Sequence, residues 1–149
     1  MKARSIHIIV EGITDRVVLS EILDLSKYQK VSWIVARSKN NIASYVRTLR
    51  LMIEYKTRIL VTYDADTSDL NKAKESIEMM RQLSRAEHDI ENIGFYSFVP
   101  CLEKNLNMPD NMQKNEQIYK RYAKDHMGEM RNVKIVKEIQ EFLDKQKEE

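Results

Sequence analysis

The sequence predicts an α/β fold, an open parallel sheet of about four strands with helices on its faces and a helical extension at the C-terminus. Two observations carry this. Four short apolar runs, rich in β-branched residues, alternate with amphipathic stretches in the order β-α-β-α-β-α-β. Each intervening stretch is long enough for a crossover helix, which parallel neighbours require. Together they describe a Rossmann-like arrangement. After Pro109 the texture changes to a charged, helix-spaced tail, so the expected division is residues 1–108 for the α/β unit and 109–149 for the extension.

The first run, Ile6-His7-Ile8-Ile9-Val10, is stopped by Glu11-Gly12 and fits a strand buried on both faces. Thr14 is placed to cap the next helix, which carries Val18, Leu19, Ile22 and Leu23 on one side. The second strand, Val31 to Ala36, ends in the polar loop Arg37-Ser38-Lys39-Asn40-Asn41. The clearest amphipathic helix follows, with Ile42, Tyr45, Val46, Leu49, Met52 and Ile53 on one face and Arg47, Arg50 and Glu54 on the other. A third strand, Arg58 to Tyr63, runs into Asp64-Ala65-Asp66-Thr67-Ser68-Asp69. There Ser68 or Asp69 suits the N-cap of a helix through Leu70, Ala73, Ile77, Met80 and Leu83. The fourth strand, Ile93 to Val99, stops at Pro100. In the tail, Ile135, Val136, Ile139, Phe142 and Leu143 fall at helix spacing, and ten acids balance ten bases beyond Pro100. That balance reads as docking helices rather than a nucleic-acid arm.

Composition removes several chemistries. With glycine only at positions 12, 94 and 128, neither G-x-G-x-x-G nor a Walker A loop can be built. The single Cys101 excludes an intramolecular disulfide and a C-x-x-C site, and His7, His88 and His126 form no H-E-x-x-H. His7 and Cys101 read as core residues and the eight methionines as core filling. No run of 18 apolar residues is present, and Met1-Lys2-Ala3-Arg4-Ser5 leads into a strand without a signal-peptide core, so the expectation is a cytoplasmic protein with no membrane partner. Net charge is only +2, but residues 26–62 hold Lys27, Lys30, Arg37, Lys39, Arg47, Arg50, Lys56 and Arg58 against Glu54 alone. Such a segment forms either a basic face for a polyanion or an ordinary solvated surface.

Acidic residues cluster where parallel sheets build their sites, at the carboxyl ends of strands. Glu11 ends the first strand, Asp64 and Asp66 the third, and Glu103 lies just past the fourth. Asp15 follows four residues after Glu11, in the first helical turn. Singly, each has an ordinary use: Asp64 and Asp66 as turn residues, Asp15 as a first-turn acid, Glu103 as a surface residue. Jointly, acids on one rim repel and raise one another's pKa, a penalty that a hard cation with oxygen ligands, Mg²⁺ or Mn²⁺, removes.

The segments Ile8-Ile9-Val10-Glu11-Gly12-Ile13-Thr14-Asp15 and Leu60-Val61-Thr62-Tyr63-Asp64-Ala65-Asp66 resemble the Toprim domain of topoisomerases, bacterial primases and OLD-family nucleases. The likeness lies in a strand ending in Glu-Gly and, about fifty residues on, a strand ending in Asp-x-Asp; it covers roughly residues 5 to 106. Asp15, together with Val99-Pro100-Cys101-Leu102-Glu103, is most similar to the OLD branch. The resemblance implies that Glu11, Asp15, Asp64, Asp66 and Glu103 hold one or two Mg²⁺ ions, with Glu11, Asp64 and Asp66 catalytic. It departs from relatives in lacking the ATPase that precedes Toprim in OLD proteins and in placing Arg37-Ser38-Lys39 after the second strand.

The implied function is Mg²⁺- or Mn²⁺-dependent cleavage of DNA or RNA, with Arg37 and Lys39 holding flanking phosphates on the same rim and Arg47 and Arg50 extending that track. An alternative is a non-catalytic or partner-activated nucleic-acid-binding module of a multi-protein repair or defence system, its ATPase or other partner encoded separately; a homodimer stays open. A haloacid-dehalogenase-type phosphatase, suggested by Asp64-Ala65-Asp66-Thr67-Ser68, is disfavoured because Ser68 stands where that motif needs Thr and too little chain follows.

Overall fold

Four extended runs pair side by side into one sheet in a computed structural model that describes residues 5–52 and 56–145. The expected roles of Ile53 and Glu54, of the Met52 side chain and of the first four residues lie outside the described residues. The elements are β1 (Ser5–Val10), α1 (Ile13–Ile22), β2 (Lys30–Val35), α2 (Lys39–Met52), β3 (Thr57–Asp64), α3 (Leu70–Leu83) and β4 (Ile93–Phe98). After them come α4 (Leu102–Asn105), α5 (Glu116–Asp125), α6 (Met127–Arg131) and α7 (Lys134–Asp144). Strand order is β2-β1-β3-β4 and every pairing is parallel. The fold is therefore the expected α/β open sheet, and β1 and β3 are neighbours, with Ile9 opposite Val61.

Side-chain alternation along the strands divides the core in two. Ile9, Ile59, Val61 and Tyr63 pack with Ile42, Val46 and Met80 beneath α2 and α3. Ile6, Ile8, Val10 and Leu60 pack on the opposite face with Val18 and Leu19 of α1 and with Tyr119, Ala123, Met130, Val136, Ile139 and Leu143. The C-terminal helices thus share one apolar cluster with β1 and α1, as the spacing of Val136, Ile139, Phe142 and Leu143 requires.

Several local expectations change. Gly12, not Thr14, is the N-cap of α1, and Thr14 is a buried residue inside the first turn whose hydroxyl has no hydrogen-bond partner among the described residues. Asp69 does cap α3, accepting from the backbone N–H groups of Asn71 and Lys72. His7 and Cys101 are half-buried rather than core. Met80, Met108 and Met130 fill the interior, whereas Met79 and Tyr45 are exposed. Among the described residues no helix is long and apolar enough to cross a membrane.

The basic segment is partly consumed by the fold. Arg58 is buried on β3 and donates from Nη1 to the Phe142 carbonyl at 2.7 Å. Its guanidinium also lies 5.5 Å from the centroid of the Phe142 ring. Tyr28 donates its hydroxyl to the Leu143 carbonyl at 2.7 Å. Both carbonyls belong to the last turn of α7, where helix geometry leaves C=O groups without intrahelical donors and the dipole favours a cation. Arg58 of β3 and Tyr28, just ahead of β2, therefore cap α7. Arg58→Ala should lower unfolding free energy by about 2 kcal/mol or more, the scale of a charged hydrogen bond whose buried partners are left unpaired. Lys27→Met, which breaks the exposed pair with Asp144, should cost less than about 1 kcal/mol. Denaturant titration measures both; equal losses would contradict the capping role.

Candidate functional site

The carboxyl ends of β1 and β3 meet at one rim, and a side chain joins them there. Glu11, the residue after β1, accepts the backbone N–H of Asp64 at its Oε1. Its own carbonyl accepts the N–H of Arg37, just past β2. Asp64 accepts the N–H of Leu102, the first residue of α4, at Oδ1 with a 2.8 Å contact. Asp15 accepts the N–H of Gly12 at 2.9 Å through Oδ2, an N3 acid reaching back to the N-cap. A Cβ on residue 12 would stand 3.3 Å from that oxygen, so glycine lets Asp15 close down on the turn.

Three of the acids therefore commit one oxygen to a backbone donor. Glu11 Oε2, Asp15 Oδ1 and Asp64 Oδ2 accept no hydrogen bond among the described residues. Electrostatics ties these groups together with Glu103 of α4. Burial, opposed by the Gly12 hydrogen bond and reinforced by Glu103 and Glu11, raises the Asp15 carboxyl to about 6. Burial is also the main cause at Asp64, followed by the lowering Leu102 hydrogen bond and then repulsion from Asp15, Glu11 and Glu103; the result is about 7. Glu11, Asp15, Asp64 and Glu103 thus form one acidic neighbourhood. As they stand, however, no three His, Cys, Asp or Glu side chains among the described residues are gathered closely enough to hold a metal ion.

Asp66 stands apart from this group. Its backbone is left-handed (φ 56°), its N–H donates to the Pro100 carbonyl at 2.8 Å, and its carboxylate pairs with Lys39 Nζ. Lys39 is the first residue of α2, and its Nζ lies 5.7 Å from the Tyr63 ring centroid. Arg37, also left-handed (φ 71°), is exposed beside Glu11 and makes no side-chain hydrogen bond among the described residues. Arg37 and Lys39 thus share the acidic rim. Arg47 and Arg50 lie elsewhere. Arg47 donates to the Leu83 carbonyl, capping the end of α3, and Arg50 pairs with Asp89. Arg50 is eleven residues along α2 from Lys39, about 16 Å at helical rise. In the folded chain these two arginines make ties with α3 and the loop after it.

Two neighbours of the site lay beyond sequence reasoning. Tyr119 of α5 is buried, and its hydroxyl is pushed up by burial first and then by Glu103 and Asp15. The charge of Lys114, ahead of α5, acts on Asp15. Both reach the rim because α5 packs on α1, a contact that no local motif announces. No protein-family profile, curated protein or solved structure matches this chain.

A carboxyl whose folded-state pKa lies above its unfolded value binds more protons when folded, between the two values. Asp15 and Asp64, raised from 3.8 to about 6 and about 7, therefore make the metal-free protein lose stability as pH rises through that interval. Thermal midpoints in chelator should fall between about pH 4 and pH 7 and level off above that. Asp64→Asn, which keeps an oxygen for Leu102, should flatten the dependence. An unchanged slope would show that the two acids do not sense each other or their burial.

Proposed function

We propose that this chain performs divalent-metal-dependent phosphodiester chemistry on nucleic acid, strand scission of DNA or RNA, with a Toprim-type site of the OLD kind. The observation that carries the reading is the gathering of Glu11, from the turn after β1, with Asp15 of α1, Asp64 of β3 and Glu103 of α4 at one rim. The donor set suits Mg²⁺ or Mn²⁺: all ligand atoms are hard oxygens, and three carboxylates keep an oxygen free of hydrogen bonds among the described residues while the other is anchored. The mutual repulsion at Asp15 and Asp64 is of the kind a dication relieves.

A bound dication would supply Lewis-acid polarisation of the scissile phosphate. Asp15, Asp64 and Glu103 would hold it, with Glu11 serving either as a further ligand or as the general base. Glu11 Oε2 is the atom free to take a proton from an attacking water, since Oε1 is fixed by the Asp64 N–H. Arg37 and Lys39 are the cations to hold flanking phosphates. Asp66 joins the ligand set only on leaving Lys39. Cytoplasmic location belongs to the same proposal.

A second reading, a module activated by a protein partner, draws on the acids not being closed around a single point. A separately encoded ATPase or another partner, or a second copy of the chain, would complete the site. One experiment separates the two. Purified protein with Mg²⁺ or Mn²⁺ should cleave DNA or RNA, and Glu11→Gln should slow it by about a hundredfold or more. Metal at a hundred times its dissociation constant should stabilise the wild type by about 2.7 kcal/mol. Stabilisation without cleavage selects the partner-activated module; neither stabilisation nor cleavage overturns the metal site.

A further inference from the structure

Charge balance over the whole C-terminal extension conceals a local excess, because residues 114–124 carry Lys114, Lys120, Arg121 and Lys124 against Glu116 alone. Within that stretch Gln117, Ile118, Arg121, Tyr122 and Asp125 recur at helical spacing on one face of α5. With Met112 from the preceding loop they line a cavity of about 360 Å³. Ligand pockets run from about 300 to 1,000 Å³, so this one suits a small group rather than a protein segment.

The cavity has a fixed aromatic wall. His126 stacks on the Tyr122 ring, with centroids 4.0 Å apart and planes inclined by 16°, and its Nδ1 donates to the Tyr122 carbonyl at 3.0 Å. The Tyr122 hydroxyl donates to the Asn107 carbonyl at 3.4 Å. The ring is thus held at its hydroxyl and over one face, yet it borders a cavity that His126 does not line. Arg121 and Asp125 stand at the spacing of a helical ion pair. Neither makes an ion pair or a side-chain hydrogen bond among the described residues, so a planar donor fork and an acceptor are both unspent at the cavity mouth. A flat ring with donors and acceptors on its edge matches the aromatic wall and the polar mouth together. An attached phosphate matches Arg121, and exposed Lys124 follows three residues on.

We infer that this cavity is a single-strand subsite: one unstacked nucleobase lies on Tyr122 with its edge toward Gln117 and Asp125, and Arg121 takes the adjoining phosphate. A base inside a duplex has both faces stacked, which selects single-stranded ligands. From the proposed function the inference takes only that the ligand is nucleic acid, and it needs no metal. Tyr119, one turn earlier on the same helix, lies under the influence of Glu103 and Asp15, so α5 meets both the cavity and the acidic rim.

The test is fluorescence anisotropy in EDTA with a short labelled single strand and with an abasic strand of equal length. Wild type should bind the base-bearing strand at least about fivefold more tightly, the factor one stacked base supplies. Tyr122→Phe, which keeps the ring, should retain that preference, and Tyr122→Leu should lose it while still binding the abasic strand as wild type does. Arg121→Ala should weaken both strands alike and lower the salt slope by about one. Equal affinity for the two strands, or a preference that survives Tyr122→Leu, would overturn the inference. A mononucleotide that competes as well as the strand would give the cavity to free nucleotides instead. A dimer dissolved by Ile118→Glu, with no base preference, would give it to a second copy of the chain; either result overturns the single-strand assignment. Because EDTA removes divalent ions, a failed metal site leaves these outcomes unchanged. Metal-dependent cleavage without base preference would overturn this inference and leave the proposed chemistry standing.

Discussion

The hydrogen bond from the Asp64 backbone to the Glu11 carboxylate sets the rim on which the rest depends. The β1–β3 ladder pairs residues as far as Ile9 and Val61, and past its end the Glu11 side chain reaches the Asp64 backbone. Glu11 carries the pairing one step further with a carboxylate in place of a backbone carbonyl. Its own carbonyl holds Arg37 after β2, and Asp64 in turn holds the first N–H of α4. Two acidic residues thereby fix where three strands end and where α4 begins. Removing either would orphan a part-buried N–H as well as a charge.

The same residues create a problem that the fold leaves open. Carboxylates are good acceptors for backbone N–H groups because they are charged, yet four of them on one rim oppose one another. Asp64 shows both effects: the Leu102 hydrogen bond lowers its pKa, while burial and three neighbouring acids raise it to about 7. A site built only for structure would be served by Asn or Ser at such positions, which also accept from backbone donors. Charge at all four positions has a use when a cation is present.

The strands, the first three helices and α7 were legible because each carries its own period: β-branched runs for β1 and β3, 3.6-residue spacing for α2 and α7. The adjacency of Glu11 and Asp64 was legible too, since parallel topology brings strand ends to one edge. What depended on packing between distant segments was not. Arg58 looked like one more base in a basic stretch until α7 delivered its last carbonyls to it. The ties of Arg47 to the end of α3 and of Arg50 to Asp89 likewise depend on packing between distant segments. Thr14 outranks glycine as a cap by side-chain chemistry, but Gly12 takes the position because Asp15 must fold back on its N–H. Asp66 fell in with Asp64 by spacing, whereas its left-handed backbone, its N–H to Pro100 and its pair with Lys39 set it apart.

The most direct measurement is a Mn²⁺-soaked crystal read by anomalous scattering. The expected result is a peak at the β1–β3 rim within coordination distance of Glu11 and Asp64, with Asp15 or Glu103 completing the set. No peak at that rim at saturating Mn²⁺, or a peak elsewhere with Glu11 and Asp64 unmoved, would contradict the assignment of these carboxylates as a metal site.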